Sequence, residues 1–283
     1  MPRATLTATA IVTVALAALL AAGYALGRGL VPDQHPSNAG VTAPGTDPRH
    51  ANQPPDAPAT RPPAPGPSHE AAPDTQTFAP AGDGPYGTLT ATGTSGVALT
   101  FDDGPDPRWT PQVLTLLAQY GVKATFCVVG ENAARHPDLI RAIAAEGHTL
   151  CNHSWSHDVD LGQQAPAFIR ADMLRTNDAI LAAAPHARIA HFRQPGGAWT
   201  PAVVSACADL GLVPLHWNVD PSDWRAPGAL TIEARIRSQL GPGAVVLLHD
   251  AGGDRSGTVE ALQQLLPELL GRFDLESLPA HTP

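Results

Sequence analysis

Thr100-Phe101-Asp102-Asp103-Gly104-Pro105 follows the apolar run Gly96-Val97-Ala98-Leu99 and breaks it off in a turn. A buried strand that ends in this way presents two adjacent carboxylates. Neighbouring side chains in a strand point to opposite faces. The strand end, where Gly104-Pro105 imposes a turn, is therefore where both acids can be aimed at one cavity. Two carboxylates that close repel, and one pKa rises unless a cation neutralises the pair. The bland alternative is an Asx turn, because Asp and Gly are the ordinary residues of turns.

Outward from this stretch, the pattern is globular from about Gly87 onward. Short apolar runs alternate with helical stretches. Strands are expected at Val97–Phe101, Ala124–Val129, Thr149–Asn152, His191–Arg193, Val213–Trp217 and Ala244–His249, with a weaker last one near Arg272–Leu275. Helices are expected at Thr110–Tyr120, Glu131–Glu146, Ala165–Ala184, Pro201–Leu210, Thr231–Leu240 and Thr258–Leu270. Thr110-Pro111 and Thr200-Pro201 are helix-start signals, with Pro where the first helical N–H has no partner. This alternation implies an α/β fold with a parallel sheet, open or closed into a barrel. In such folds the chemistry gathers at the carboxyl ends of the strands.

Towards the N-terminus the material changes. No charged residue occurs from Ala4 to Gly27, between Arg3 and Arg28. That run is long enough to span a bilayer, and it also has the layout of a secretory signal. Residues 1–30 are therefore expected to be a signal peptide or an N-terminal membrane anchor. Residues 31–86 hold 14 of the chain's 30 prolines and almost no large apolar side chain. Such a segment cannot offset its ordering entropy, and its prolines keep it extended. It reads as a disordered Pro/Ala-rich stalk, with residues 87–283 as the folded domain outside the cell, secreted or at the cell surface. The formal charge of −9 with no basic block excludes a nucleic-acid partner. Three cysteines, Cys127, Cys151 and Cys207, are too few for a disulfide framework and lack the spacing of a thiolate zinc site.

The strand ends carry the expected polar residues. After Thr149–Asn152 comes His153-Ser154-Trp155-Ser156-His157. Two histidines four apart share a side of a helical turn, and imidazole suits zinc and its first-row neighbours. One carboxylate with two imidazoles leaves zinc an open position, as catalytic sites require. Arg193-Gln194-Pro195-Gly196-Gly197 offers a cation to pair with the remaining carboxylate and a turn that allows close backbone approach. Asp220-Pro221-Ser222-Asp223-Trp224 supplies two acids and an aromatic wall. Val245-Val246-Leu247-Leu248 leads to His249-Asp250, which places an imidazole as general acid or base.

These five segments, in order, resemble the polysaccharide deacetylases of the NodB-homology type, carbohydrate esterase family 4. The matching motifs are Thr100–Gly104, His153–His157, Arg193–Pro195, Asp220–Trp224 and Leu247–His249, and the likeness covers about Ser95 to Leu275. The resemblance implies a distorted (β/α)7-type barrel and one divalent metal, Zn2+ first, with Co2+ or Ni2+ in its place. It implies Asp103, His153 and His157 as metal ligands and Asp102 as the base that takes a proton from the attacking water. His249 is then the acid for the leaving amine, Arg193 orients the base, and Asp223 tunes the acid. Pro195, Gly196 and Trp224 line the substrate cleft. Where the family often has an aromatic after the proline of the third motif, this chain has Gly196. The backbone donor is kept, while the ring that would shape the acceptor pocket is gone.

The implied reaction is removal of N-acetyl groups from N-acetylhexosamine units. Peptidoglycan is expected first, from location alone, then chitin-type oligomers, with acetylxylan esters third. A catalytically silent glycan-binding module is the alternative of a different class. The expected partner is an acetylated polysaccharide, met by a monomer that touches membrane only through its N-terminal segment. Cys127 and Cys151 lie in neighbouring expected strands; in an oxidising compartment they either pair or stay buried as free thiols.

Overall fold

The computed structural model of the chain describes residues 82–279. Its strands are β1 (Val97–Asp102), β2 (Thr125–Val128), β3 (Thr149–Asn152), β4 (His191–Phe192), β5 (Val213–Pro214), β6 (Val245–His249) and β7 (Leu275–Glu276). They form one seven-stranded parallel sheet in the order β5-β4-β3-β2-β1-β6, with β7 on the start of β1. The helices are α1 (Thr110–Gln119), α2 (Gly130–Arg135), α3 (Pro137–Ala145), α4 (Pro166–Ala183), α5 (Pro201–Asp209), α6 (Ala229–Gln239) and α7 (Ser256–Leu270). This is the curled α/β sheet of a (β/α)7-type barrel.

Strand alternation explains the two layers of core. Val97, Leu99 and Phe101 of β1 pack outward with Val113 and Leu117 of α1 and Leu262 and Leu266 of α7. Ala98, Cys127, Cys151, Leu215 and Val245 form a separate buried cluster on the inner face, joined by Leu278.

Three isolated bridges link the two ends of the sheet. Leu89 pairs with Leu215 beyond β5, Ala91 with Ala244 before β6, and Val219 with Val246. The Leu89–Ala91 segment thus acts as a staple between first and last positions of the sheet order. The sequence reading placed no element there.

Several expected boundaries move, each for a local reason. The helix expected over Glu131–Glu146 is two, α2 and α3, because Pro137 has no N–H to continue the ladder and holds His136 outside the helical region (φ −129°, ψ 58°). The strand expected over Val213–Trp217 stops at Pro214, and the His216 N–H turns to the carbonyl of Leu89. The last strand lies at Leu275–Glu276 rather than Arg272–Leu275. The N–H groups of Arg272 and Phe273 instead bond to the Leu269 carbonyl at the end of α7. The expected N-terminal segment, residues 1–30, and the stalk up to residue 81 lie outside the described residues. Residues 82–86 are described, and the Gly84 N–H bonds to Thr88 O.

Cys127 and Cys151 are joined in a disulfide, and Cys207 is a buried free thiol. The two half-cystines are register partners on β2 and β3, so the bond crosses one step of the inner face. It closes a loop with a sequence separation of 24, for which the loss of unfolded-state entropy corresponds to about 3–4 kcal/mol. Cys127→Ser is therefore expected to lower the unfolding midpoint by several degrees. Thermal unfolding with and without reductant checks this, because the variant should be insensitive to reductant while the parent is not.

Candidate active site at the carboxyl ends of the strands

All five motif segments meet at one end of the sheet. Parallel pairing sets Asp102 beside His249 on β6 and beside Cys127 on β2. Register partners in neighbouring strands share a face, so the Asp102 and His249 side chains look into the same space. Asp103 follows with φ 73°, a left-handed value uncommon for a residue with a side chain. That turn overrides the alternation of the strand and brings both carboxylates round to His153. The His153 Nε2 lies 3.6 Å from Asp102 Oδ2 and 3.5 Å from Asp103 Oδ1.

Asp103, His153 and His157 offer ligand atoms that all lie within 4.8 Å of one another. His157 Nε2 is 3.2 Å from Asp103 Oδ1. The histidines do not sit on a helix, as their spacing suggests. They lie in the loop after β3, where Ser154 (φ 62°) and His157 (φ 57°) are both left-handed. Two reversals of the backbone do what one helical turn would have done.

The second nitrogen of His153 is also fixed. His153 Nδ1 is 2.8 Å from the Arg193 carbonyl. A carbonyl only accepts, so Nδ1 carries the proton and Nε2 keeps its lone pair for a ligand bond, the usual support of a metal-bound imidazole. Asn132 Nδ2 donates to the Asp103 carbonyl at 2.7 Å, which holds the unusual turn.

This donor set fits a divalent cation. Asp103 Oδ1 is buried without a hydrogen-bond partner, a position that is costly unless something positive is placed there. Burial pushes the Asp103 carboxyl up, but the close approach and charge of His153 outweigh it and hold the pKa at about 2. Burial also works against a charged His153, yet Asp102 and Asp103 raise its pKa. His157 is shifted down, by burial and by the neighbouring His153. The opposite shifts share a cause: the two acids favour positive charge on His153, the imidazole that faces both of them, and His153 in turn disfavours a second positive charge on His157.

Arg193 is fully buried and holds Asp102. Its Nη1 donates to Asp102 Oδ1 at 2.7 Å and to Thr100 Oγ1 at 2.8 Å; Nη2 donates to the His216 carbonyl at 3.0 Å. The guanidinium is therefore anchored on both β1 and the chain after β5, and Asp102 keeps Oδ2 free on the side of the histidines. Across the site, His249 Nδ1 bonds to Asp223 Oδ1 at 2.7 Å. Asp223 Oδ2 accepts from the His249 N–H at 2.9 Å and from Thr258 Oγ1 at 2.8 Å. Burial opposes the charged His249, but the Asp223 hydrogen bond and charge prevail and raise its pKa to about 9.

The three expected cleft residues lie near but outside this core. Pro195, Gly196 and Gly197 form a single tight turn, with Gly196 at φ 61° and Gly197 at φ 63°. A Cβ at Gly196 would stand 3.3 Å from Val159 Cγ1. Trp224 is 45% exposed, with the Arg225 guanidinium 4.4 Å over its ring. It is thus available as a wall. Asp220 does not join the site: its Oδ1 caps the Ser222 N–H at 2.6 Å.

Sequence reasoning missed four supporting residues. Thr100 carries Arg193, and Thr258 carries Asp223. Asp250 is buried under Gly104 and takes the Thr110 hydroxyl at 2.5 Å. Burial and the nearby Asp103 and Asp102 raise its carboxyl to about 7 despite the Thr110 hydrogen bond. Arg255 is a buried cation in a glycine-rich loop. A charged residue flanked by Gly252, Gly253 and Asp254 reads as exposed, so only its position after a motif could have drawn notice.

Residues 90–215 match the family model described as polysaccharide deacetylase. A chitooligosaccharide deacetylase of Bradyrhizobium sp. (strain ANU 289) is 44% identical over 199 residues, covering 66% of this chain and 90% of that protein. A peptidoglycan-N-acetylglucosamine deacetylase of Bacillus cereus is 39% identical over 175 residues, 61% of this chain and 81% of that protein. Among solved structures, the Bc1960 peptidoglycan N-acetylglucosamine deacetylase superposes with a TM-score of 0.64 at 34% identity, covering 68% of this chain and 89% of that one. With its parallel curled sheet, and with relatives matched over nearly their whole length, the chain belongs to the polysaccharide deacetylase family.

Proposed function

We propose that the chain is an exported, metal-dependent N-deacetylase of N-acetylhexosamine glycans, peptidoglycan first and chitin-type oligomers next. One observation carries the reading: a three-ligand cation site lies between a carboxylate fixed by a buried arginine and an imidazole fixed by a buried carboxylate. The names of the relatives support the reaction and the substrate class. The inner-face disulfide supports an oxidising compartment, as does the apolar run from Ala4 to Gly27 in the sequence.

Asp103 Oδ1, His153 Nε2 and His157 Nε2 would hold the metal, with zinc favoured by the mixed donors. The ion supplies Lewis acidity, acidifying water and polarising the acetyl carbonyl. The remaining work belongs to side chains. Asp102 keeps Oδ1 on Arg193 and takes the proton of the attacking water at Oδ2, the oxygen that faces His153. His249 has Nδ1 tied to Asp223, so Nε2 is the atom that hands a proton to the departing amine nitrogen. An amide needs that proton because an amine anion is a poor leaving group. Trp224 and the Pro195–Gly197 turn border the space left for the sugar.

The acid role fixes the sign of the pH dependence. His249 must be charged to act, and its pKa is raised, so turnover is expected to fall as pH climbs through that value. The fall should lie above the ordinary imidazole value of 6.5 and no higher than about 9, since a nearby divalent cation opposes the charge on the ring. A pH profile of kcat that stays flat up to pH 9.5 removes His249 from this role. The function itself is tested by acetate release from peptidoglycan, chitin oligomers and acetylxylan, with and without chelator. Release from the first two that stops on metal removal is expected; release from acetylxylan alone, or from none, overturns the assignment.

A further inference from the structure

Arg255 is only 2% exposed, and the hydrogen bonds of its guanidinium all go to main-chain carbonyls. Its Nε donates to Ala251 at 2.7 Å and Nη2 to Gly252 at 3.0 Å. Its Nη1 donates to Asp223 at 2.8 Å, and Nη2 reaches Trp224 at 3.5 Å. These four carbonyls belong to two separate loops. One follows β6 and carries His249 at its root; the other carries Asp223 and Trp224. Burying a guanidinium without a carboxylate partner is costly unless its rigid fork of donors is satisfied. Here the fork is filled by loop carbonyls, of which that of Asp223 also accepts from the Ala226 N–H at 2.8 Å.

Both loops end at the reacting groups. Asp223 clasps the His249 ring and its N–H. On the other loop, Gly252 (φ 74°) brings its Cα so close to Asp103 Oδ2 that a Cβ would collide with it. The loop after β6 is therefore the back wall of the Asp103 carboxylate as well as the root of His249. Arg255 is where that wall and the Asp223 turn are fastened together.

We propose that Arg255 is a positioning residue that sets His249 and Asp103 in register with one another. It touches no reacting atom and acts through the Asp223–Trp224 and Ala251–Gly252 carbonyls. The idea rests on the deacetylase reading for its kinetic consequence, but not for its structural one. Loosening the fork lets the acid and the cation site drift apart. Misplacement of about 1 Å is enough to cost about 10²-fold in turnover.

R255M and R255K, each with a thermal unfolding curve, test this. Lysine keeps the charge and can satisfy only part of the carbonyl set. Two readouts are taken at a temperature where each variant is folded: kcat and KM for acetate release from N-acetylglucosamine oligomers, and the NMR signal of the His249 Nδ1 proton held by Asp223. Folded R255M is expected to lose about 10²-fold in kcat with KM within about twofold, and the Nδ1 signal should broaden or vanish. R255K should fall between R255M and the parent. A parent-like kcat and Nδ1 signal in folded R255M overturns the proposal, as does a loss that only tracks the unfolded fraction. If R255M does not fold, R255K decides in the same two ways. A parent that releases no acetate sinks the deacetylase reading alone, and the Nδ1 signal still decides Arg255.

Discussion

Asp102→Asn is expected to lower kcat by about 10²–10⁴-fold, the usual contribution of a positioned general base, while leaving KM and metal content near those of the parent. The change is nearly isosteric. Asn can still accept from Arg193 Nη1, but it cannot take a proton from water at pH 7. Asp103, His153 and His157 are untouched, so the cation site keeps its three ligands. A second effect accompanies the first. Arg193 is fully buried and its one carboxylate contact is Asp102 at 2.7 Å. Removing one partner of a buried ion pair costs about 3–5 kcal/mol, so the variant should also melt earlier. Kinetics of acetate release well below the melting range, with metal measured on the same sample, separate the two. A variant with parent turnover and bound metal rules Asp102 out as the base.

Stripping the metal should silence the enzyme more completely than any other single change. Loss of several kcal/mol of charge stabilisation corresponds to about 10³-fold or more in rate. Activity should return on adding Zn2+, Co2+ or Ni2+ to the parent. His153→Ala should not recover at the same concentrations, because it removes a buried ligand whose other nitrogen is anchored on Arg193. A readout independent of catalysis accompanies this. Asp103 Oδ1 has no hydrogen-bond partner and Asp102 lies nearby, so a bound ion is expected to offset the repulsion between the two carboxylates. Metal at about 100 times its dissociation constant should add about 2.7 kcal/mol to stability, visible as a rise in unfolding temperature that His153→Ala lacks. Full activity in thoroughly chelated enzyme would sink the metal reading.

The chemistry of the site was legible in the sequence because each motif follows an apolar run, and a parallel sheet collects strand ends. Asp102, His249 and Arg193 lie where that rule sends them. The means by which they converge were less visible. His153 and His157 were read at helical spacing, yet two left-handed residues bring them together, and no periodicity encodes such φ values. The split at Pro137 had a signal in the proline itself; the apolar spacing on either side masked it. Leu89–Ala91 had none, since two isolated bridges need no alternating pattern. Thr258, Asp250 and Thr100 reach partners 35 to 146 positions away, and Arg255 works through main-chain atoms. Local patterns carry no record of such partners.

One rung of the sheet runs His249, Asp102, Cys127, Cys151 across four neighbouring strands. The backbone positions that carry the proposed acid and base are thus one lattice step of the sheet apart, about 4.7–4.9 Å from strand to strand, and the disulfide clamps the far end of the same rung. Val159, Gly196 and Trp224 can then be exchanged as if they were tooling on a fixed chuck, to fit another sugar or another linkage, while proton transfer keeps its geometry. Grafting the corresponding loops of a relative onto this barrel should change which glycan is accepted before it changes how fast the bond is broken.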